Sequence, residues 1–225
     1  MHKVLSWLHR DEKGVTGLET AIILIAFVVV ASVFAYTILS AGIFATARGQ
    51  EAVYSGLQQA RSSFEPRGDV MAYKGTVSGT AAIGKVVFTI AAALPGQKID
   101  LTPPYSLSVA GAPTASGLSY ITTAAYQDSK QYINDAAWTV SFLGNNNGDY
   151  MLEGEEKAEV SVWLLNYDGS AYSLGAGATD PFIDSAGNLL TTYTDFNIEL
   201  KPPKGAALTI AKTTPSRLDT VTNLR

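Results

Sequence analysis

One segment of the chain groups side chains that could bind a cation. Asn145, Asn147 and Asp149 alternate along a short stretch, and Glu156 follows them. Oxygen ligands at alternate loop positions, closed by a later glutamate, are how a calcium loop surrounds its ion. The pattern therefore fits a site for calcium or another oxygen-ligated divalent cation.

The same residues have a second interpretation as a tight turn. Tyr150 stands where an EF-hand loop has its glycine, and Gly148 comes two positions earlier. The Asn147-Gly148 pair between two alternating segments is also a strong hairpin signal. Both interpretations, a turn without metal and a cation site, stay open. No motif in the chain requires a cofactor.

Histidine and cysteine are almost absent. His2 and His9 are the only histidines, and the chain contains no cysteine. From residue 15 onward there is neither imidazole nor thiol, which excludes His-based acid–base catalysis, Cys–His pairs and zinc sites of the usual kind. We predict that the protein is not an enzyme. The formal net charge of −4 also argues against a nucleic-acid partner, which would require a basic surface.

The N-terminal 14 residues are short, polar and charged, and they lead directly into an apolar stretch. A secretory signal peptide is cut after its apolar region. Here the Lys13-Gly14 step precedes that region, so we predict cleavage between Gly14 and Val15, which keeps the apolar segment and makes Glu19 the fifth mature residue. This arrangement resembles the class III signal of type IV pilins and archaeal flagellins, which a prepilin-type signal peptidase removes. The alternative is an uncleaved signal anchor.

A long helix is predicted for residues 15–65. Residues 21–47 contain no charge and no proline, and apolar residues keep a helical spacing beyond Arg48 as far as Pro66, which should end the helix. Such a helix measures roughly 70 Å, more than twice the hydrocarbon thickness of a bilayer. This length favours a subunit that first lies in a membrane and then packs into a bundle of copies. A plain membrane stalk is the alternative.

Glu19 is the only charged residue between Gly14 and Arg48. A carboxylate in hydrocarbon is costly and usually has a partner. In a pilin-like assembly that partner is the Val15 amine of a neighbouring copy, so Glu19 is our candidate assembly residue. Alternatively, Glu19 lies at headgroup level or at the positive end of the helix dipole.

After Pro66 the period changes to short alternating runs between turn residues, which predicts an antiparallel β-sandwich or barrel of immunoglobulin-like type over residues 66–225. The fold class is therefore α+β. Four large residues are expected in the core: Trp138, Phe142, Trp163 and Leu165. The predicted strands are residues 70–79, 85–94, 98–102, 105–111, 119–126, 136–143, 158–167, 181–193, 196–200 and 207–213.

Two further segments carry a family resemblance. Residues 138–166 read WTVSFLGNNNGDYMLEGEEKAEVSVWLLN, and residues 199–218 read ELKPPKGAALTIAKTTPSRL. Together with the N-terminus, they make nearly the whole chain resemble an archaellin, the filament subunit of the archaeal motility organelle. The resemblance implies an extracellular homopolymer with bundled helices and outward-facing β-domains, a membrane-inserted precursor, and paralogous archaellins as further partners. The resemblance also keeps the cation interpretation open, because some archaellins bind cations in the 145–156 region.

One feature departs from the family pattern. Archaellins are often N-glycosylated, yet no asparagine here begins an N-x-[ST] sequon. We therefore expect no N-linked sugar. Two other functions stay open: an adhesive type IV-like pilus subunit, and a membrane-anchored surface binding protein with a recognition site on its β-domain.

Overall fold

The computed structural model describes residues 2–94, 96, 98–177 and 180–224, with helical side chains described for residues 17–59. The chain divides into two compact units, Met1–Ser55 and Gly56–Arg225. Helix α1, His2–Arg61, supplies the first unit and the start of the second. Antiparallel β-sheets form the rest, which confirms the α+β class.

Helix α1 accommodates hydroxyl side chains within its apolar run by bonding them to its own backbone. Each hydroxyl donates to the carbonyl four residues earlier, so the polar group is satisfied without water. The bonds are Ser32 to Val28 (2.6 Å), Thr37 to Val33 (2.8 Å) and Thr46 to Gly42 (2.9 Å).

Helix α1 ends at Arg61, four residues before the predicted boundary at residue 65. The next residues form strand β1, Phe64–Pro66, which pairs antiparallel with β3, Thr80–Ala92. Phe64 is buried in the core. Its burial favours a strand at this position over another turn of helix. Pro66 has no amide hydrogen, and a short strand at a sheet margin tolerates that loss.

The remaining strands follow the predicted segments closely, with several short additions. They are β2 (Val70–Val77), β4 (Ile99–Asp100), β5 (Tyr105–Leu107), β6 (Pro113–Ala115), β7 (Thr123–Asp128), β8 (Tyr132–Ile133), β9 (Ala137–Leu143), β10 (Met151–Leu152), β11 (Lys157–Trp163), β12 (Asn166–Tyr167), β13 (Tyr172–Ser173), β14 (Asp195–Lys201), β15 (Leu208–Thr213) and β16 (Val221–Leu224).

Two larger antiparallel sheets enclose the core of the second unit. The first has the order β16-β2-β3-β11-β9, with β1 beside β3, and the second has the order β15-β14-β7-β8. Inward-facing residues of both sheets, such as Val86 and Phe88 of β3 and Ile198 of β14, belong to one buried cluster. The predicted β-sandwich is thereby confirmed.

Three of the four predicted core residues are fully enclosed, namely Trp138, Trp163 and Leu165. Phe142 is only partly buried and packs against the edge of the cluster. The Trp163 indole donates to the Thr139 hydroxyl at 3.1 Å, which satisfies its buried N–H.

Residues 181–193 do not form the predicted strand. Ala186–Asn188 make a single 3-10 turn, and the consecutive residues Leu189 and Leu190 are both buried. The turn is closed by a bond from the Asn188 amide to the Ser185 carbonyl at 3.0 Å, and it interrupts the extended run. The segment instead makes isolated backbone bonds, such as that from the Ile83 amide to the Leu190 carbonyl.

Tyr172 lies against two glycines of the first sheet. A Cβ built on Gly84 would lie 2.4 Å from the Tyr172 ring, and one built on Gly75 would lie 2.8 Å from it. Neither glycine has a positive φ, so the lack of a side chain is what matters at both positions. Glycine in these strands therefore makes room for an aromatic ring that covers the sheet.

We predict that Gly84→Ala destabilises the β-domain. The added methyl overlaps the Tyr172 ring, and overpacking of this kind costs about 1–3 kcal/mol of unfolding free energy. Thermal or urea unfolding of the purified protein measures the change. Gly187→Ala is the matched control, since its nearest contact would be an ordinary 3.8 Å. Gly84→Ala should cost much less in a Tyr172→Ala background; an equal cost there would contradict the overlap.

Candidate assembly helix and surface loop

Helix α1 carries a long exposed apolar surface. The segment Gly17–Gln59 is long and apolar enough to cross a membrane, and none of its most apolar window is buried. Phe34, for example, is 67% exposed and Ile43 is 63% exposed. Soluble proteins rarely leave so large a contiguous apolar surface open, and such surfaces mark contacts with lipid or protein.

One face of this helix consists of very small residues. Ala35, Gly42, Gly49 and Gly56 follow one another at intervals of seven, which places them along one side of the helix. Among the described residues, a Cβ added to any of the three glycines would have no atom within 4 Å beyond the helix's own backbone. The backbone is therefore accessible along this line, which we call the small-residue face.

The charged residues that end the apolar run interact with one another. Arg48 pairs with Glu51 at 2.9 Å, and its guanidinium lies 5.3 Å from the centre of the Phe44 ring. Both charged side chains remain largely exposed, so this pair contributes little to stability. The pair shows where along the chain the helix changes from apolar to polar.

The predicted cleavage site and assembly residue lie near the start of the helix. Gly14 and Val15 lie outside the residues whose side chains the structure describes. Glu19 lies within the described part and is exposed on α1. Cleavage between Gly14 and Val15 therefore stays a prediction from the sequence.

The loop at residues 145–156 forms a network of turns. Asn147 accepts a bond from the Asp149 amide at 3.0 Å, and Asp149 accepts one from the Met151 amide at 2.8 Å. These are turns in which a side chain caps the backbone two residues on. The Glu156 carboxylate reaches back and accepts a bond from the Glu153 amide, three residues earlier, at 3.2 Å.

The Asn147 side chain presents its amide hydrogens, rather than its oxygen, to the neighbouring carboxylates. It donates to Asp149 at 3.1 Å and to Glu153 at 2.7 Å. A calcium ion would require these oxygens to face a common centre. Asn145 lines the same cleft as Glu156.

The described structure shows the loop as a series of turns that side chains cap. Within the described ranges, no group of three or more His, Cys, Asp or Glu side chains is placed to hold a metal ion. The oxygens of Asn147, Asp149 and Glu156 instead accept bonds from backbone amides. Calcium at this loop stays a prediction that binding measurements would have to test.

Sequence reasoning missed a residue that belongs to this loop. The Lys98 ammonium lies 2.9 Å from a Glu153 carboxylate oxygen. The two residues are far apart in the chain, and the pairing of β4 with β10, which sets Ile99 opposite Leu152, brings them together. No local spacing pattern could have revealed this contact; only the strand pairing does.

Comparisons with known proteins agree on the family. The family model for archaeal-type flagellin matches residues 14–212. "Probable flagellin 1" of Archaeoglobus fulgidus is 40% identical over 215 residues, covering 94% of this chain and 95% of that protein. "Probable flagellin 2" of the same organism is 33% identical over 221 residues, covering 96% of each.

A solved structure supports the fold. The archaeal flagellum of Methanospirillum hungatei strain JF1 matches with a TM-score of 0.53 at 24% identity, covering 92% of this chain and 98% of that chain. The long apolar helix, the β-sandwich and the extended family match therefore all agree with an archaeal flagellin. The chain belongs to the archaeal-type flagellin family and is a structural filament subunit.

Proposed function

We propose that the protein is the structural subunit of the extracellular archaeal motility filament and that it assembles by packing α1 against α1 of neighbouring copies. The observation that carries this proposal is the uncovered apolar surface of Gly17–Gln59. A chain without histidine or cysteine after residue 14 suits a role in assembly rather than in catalysis. The partners are further copies of this chain and paralogous flagellins.

The size of the apolar surface favours a polymer over a single chain. Nineteen large apolar side chains between residues 18 and 57 are exposed. Moving each from water to an apolar setting stabilises by about 1.5–3 kcal/mol, so the total reaches tens of kcal/mol. Association costs roughly 4–15 kcal/mol in lost freedom of movement, which this gain exceeds. Before assembly, a membrane would hold the same surface.

The small-residue face gives the helices a means of close approach. When a helix leaves lipid for a bundle, it gains little from hydrophobic transfer, because lipid and protein are similarly apolar. Van der Waals packing between helices must then make the bundle more favourable than lipid. Small residues allow this packing, because helix backbones can come near each other. Gly42 and Gly49 lie in the middle of this face.

We predict that Gly42→Leu abolishes or strongly reduces filament formation. The leucine side chain projects from the small-residue face and separates helices that must pack closely, while the β-domain keeps its own core. Electron microscopy of cells and sheared filament fractions measures assembly, and immunoblotting measures the amount of protein. Ala47→Leu is the control, because residue 47 lies on roughly the opposite side of the same helix. Normal filaments from Gly42→Leu would contradict the assigned face.

Processing by a prepilin-type signal peptidase would prepare the helix for assembly. Cleavage after Gly14 would shorten α1 and bring Glu19 close to its new N-terminus. A carboxylate there is stabilised by the helix dipole and can pair with the new Val15 amine of a neighbour. The start of the family match at residue 14 supports this boundary.

We expect N-terminal sequencing of filament protein to begin VTGLE. Glu19→Gln should be cleaved at the same bond, because the peptidase recognises the preceding step, but should yield few filaments, because the charge pair is lost. Sequencing and filament yield measure the two steps separately. A mature protein that begins at Met1 refutes the cleavage site. If Glu19→Gln assembles as well as the wild type, the pairing of Glu19 with the Val15 amine is not needed for assembly.

A further inference from the structure

A recess of about 240 Å³ opens on the surface of the β-domain, and no residue of the 145–156 loop lines it. Its lining combines two tyrosines, two prolines, an alanine and a single carboxylate: Pro104, Tyr105, Tyr120, Asp135, Ala136 and Pro181. Aromatic rings attract organic cations through the negative charge of their faces. A recess with aromatic walls and one acidic group therefore has the composition of a site for such a cation.

The charge of the recess comes from Asp135, and no basic group neutralises it. The Tyr120 hydroxyl donates to Asp135 Oδ2 at 2.6 Å. The other oxygen, Oδ1, is enclosed and accepts no hydrogen bond among the described residues. Those residues also place no lysine or arginine in an ion pair with Asp135. A partly buried carboxylate with one neutral donor keeps a negative charge that a cation can neutralise.

The hydrogen bond to Asp135 makes the Tyr120 oxygen an acceptor. A tyrosine hydroxyl can donate its hydrogen and can also accept a bond. Tyr120 donates its hydrogen to Asp135, so its oxygen remains open to an N–H donor. The bond to Asp135, together with burial, raises the pKa of Tyr120 to about 12. The phenol therefore stays neutral near pH 7, and its oxygen lies next to a carboxylate that strengthens it as an acceptor.

The Tyr105 wall of the recess is held in place by packing and by backbone bonds. The Tyr105 ring meets the buried Phe182 ring edge to face, with the ring centres 5.8 Å apart. The Pro181 carbonyl accepts a bond from the Ala137 amide at 3.4 Å. Burial raises the pKa of Tyr105, and the charges of two nearby aspartates raise it further. The recess is therefore already formed in the free chain, and both of its tyrosines lie close to negative charge.

We propose that this recess binds an alkylammonium group, such as the end of a lysine side chain. The Tyr120 oxygen accepts a bond from the ammonium, and the Asp135 carboxylate supplies the opposite charge. Tyr105 and the prolines contact the methylene groups and add cation–π attraction. The same chemistry could come from a lysine of a second copy or from a free amine. The inference rests on the recess alone and goes beyond filament assembly through α1.

Binding is measured on the full chain in detergent by ligand-observed NMR titration. The probe is N-acetyl-lysine methylamide, and its norleucine analogue is the matched uncharged ligand. The lysine probe should bind about tenfold more tightly than the norleucine analogue, because only the lysine probe makes a charged hydrogen bond. Equal binding of the two probes, or no binding of either, would overturn the proposal.

Two variants tie this binding to the recess. Asp135→Asn keeps the shape of the side chain and removes its charge, so the Kd of the lysine probe should rise about tenfold. Tyr105→Leu removes an aromatic wall and should raise that Kd about threefold. Asp128→Asn is the matched control, since Asp128 also accepts from a tyrosine hydroxyl, that of Tyr126 at 2.7 Å, but does not line the recess. Its Kd should equal that of the wild type.

A melting curve of each variant shows whether it folds. If Asp135→Asn does not fold, Tyr105→Leu still tests the site. Folded variants that bind the lysine probe as tightly as the wild type overturn the proposal, as does an equal loss of binding in Asp128→Asn. Loss of binding in the two recess variants alone supports it.

The same titration on native filaments identifies the source of the cation. If a lysine of a neighbouring copy fills the recess, filaments should not bind the probe although the isolated chain does. If a free amine is the natural ligand, filaments should bind the probe with the Kd of the isolated chain. Both results support an alkylammonium site, and each assigns it a different occupant.

Discussion

The uncovered apolar surface of helix α1 is the constraint on which the rest of the molecule depends. Gly17–Gln59 presents leucine, isoleucine, valine and phenylalanine beside its small-residue face, and none of its most apolar window is buried. Water cannot hold such a helix as a stable monomer, because apolar surface is driven out of contact with solvent. In a filament, other copies of the chain can cover this surface.

The β-domain has the opposite character, because it buries its own apolar residues. The core draws on both sheets, and Trp138 and Leu200 are fully enclosed within it. Gly205 approaches the Ser62 carbonyl so closely that a Cβ would lie 2.2 Å from it, and the backbone there has φ +101°. Glycine meets both requirements, space and a left-handed backbone, in the Lys-Pro-Pro-Lys-Gly turn.

The sequence predicts those features that depend on local period and composition. The apolar helix, the change to strands after Pro66 and the burial of Trp138 and Trp163 all follow from side-chain patterns. Features that depend on tertiary pairing were missed. Strand β1, Phe64–Pro66, pairs with β3 directly after the helix, and the 3-10 turn at Ala186–Asn188 interrupts a predicted strand. Lys98 joins its loop only through a strand pair, so local spacing could not reveal it.

Helical reconstruction of the native filament by electron cryomicroscopy tests the central claim most directly. The account predicts that residues 17–59 form a continuous inner layer, with Gly42 and Gly49 in contact with the helix of a neighbouring copy and the β-domains facing solvent. A filament whose helices lie exposed on its surface, or whose subunits touch only through β-domains, would contradict it.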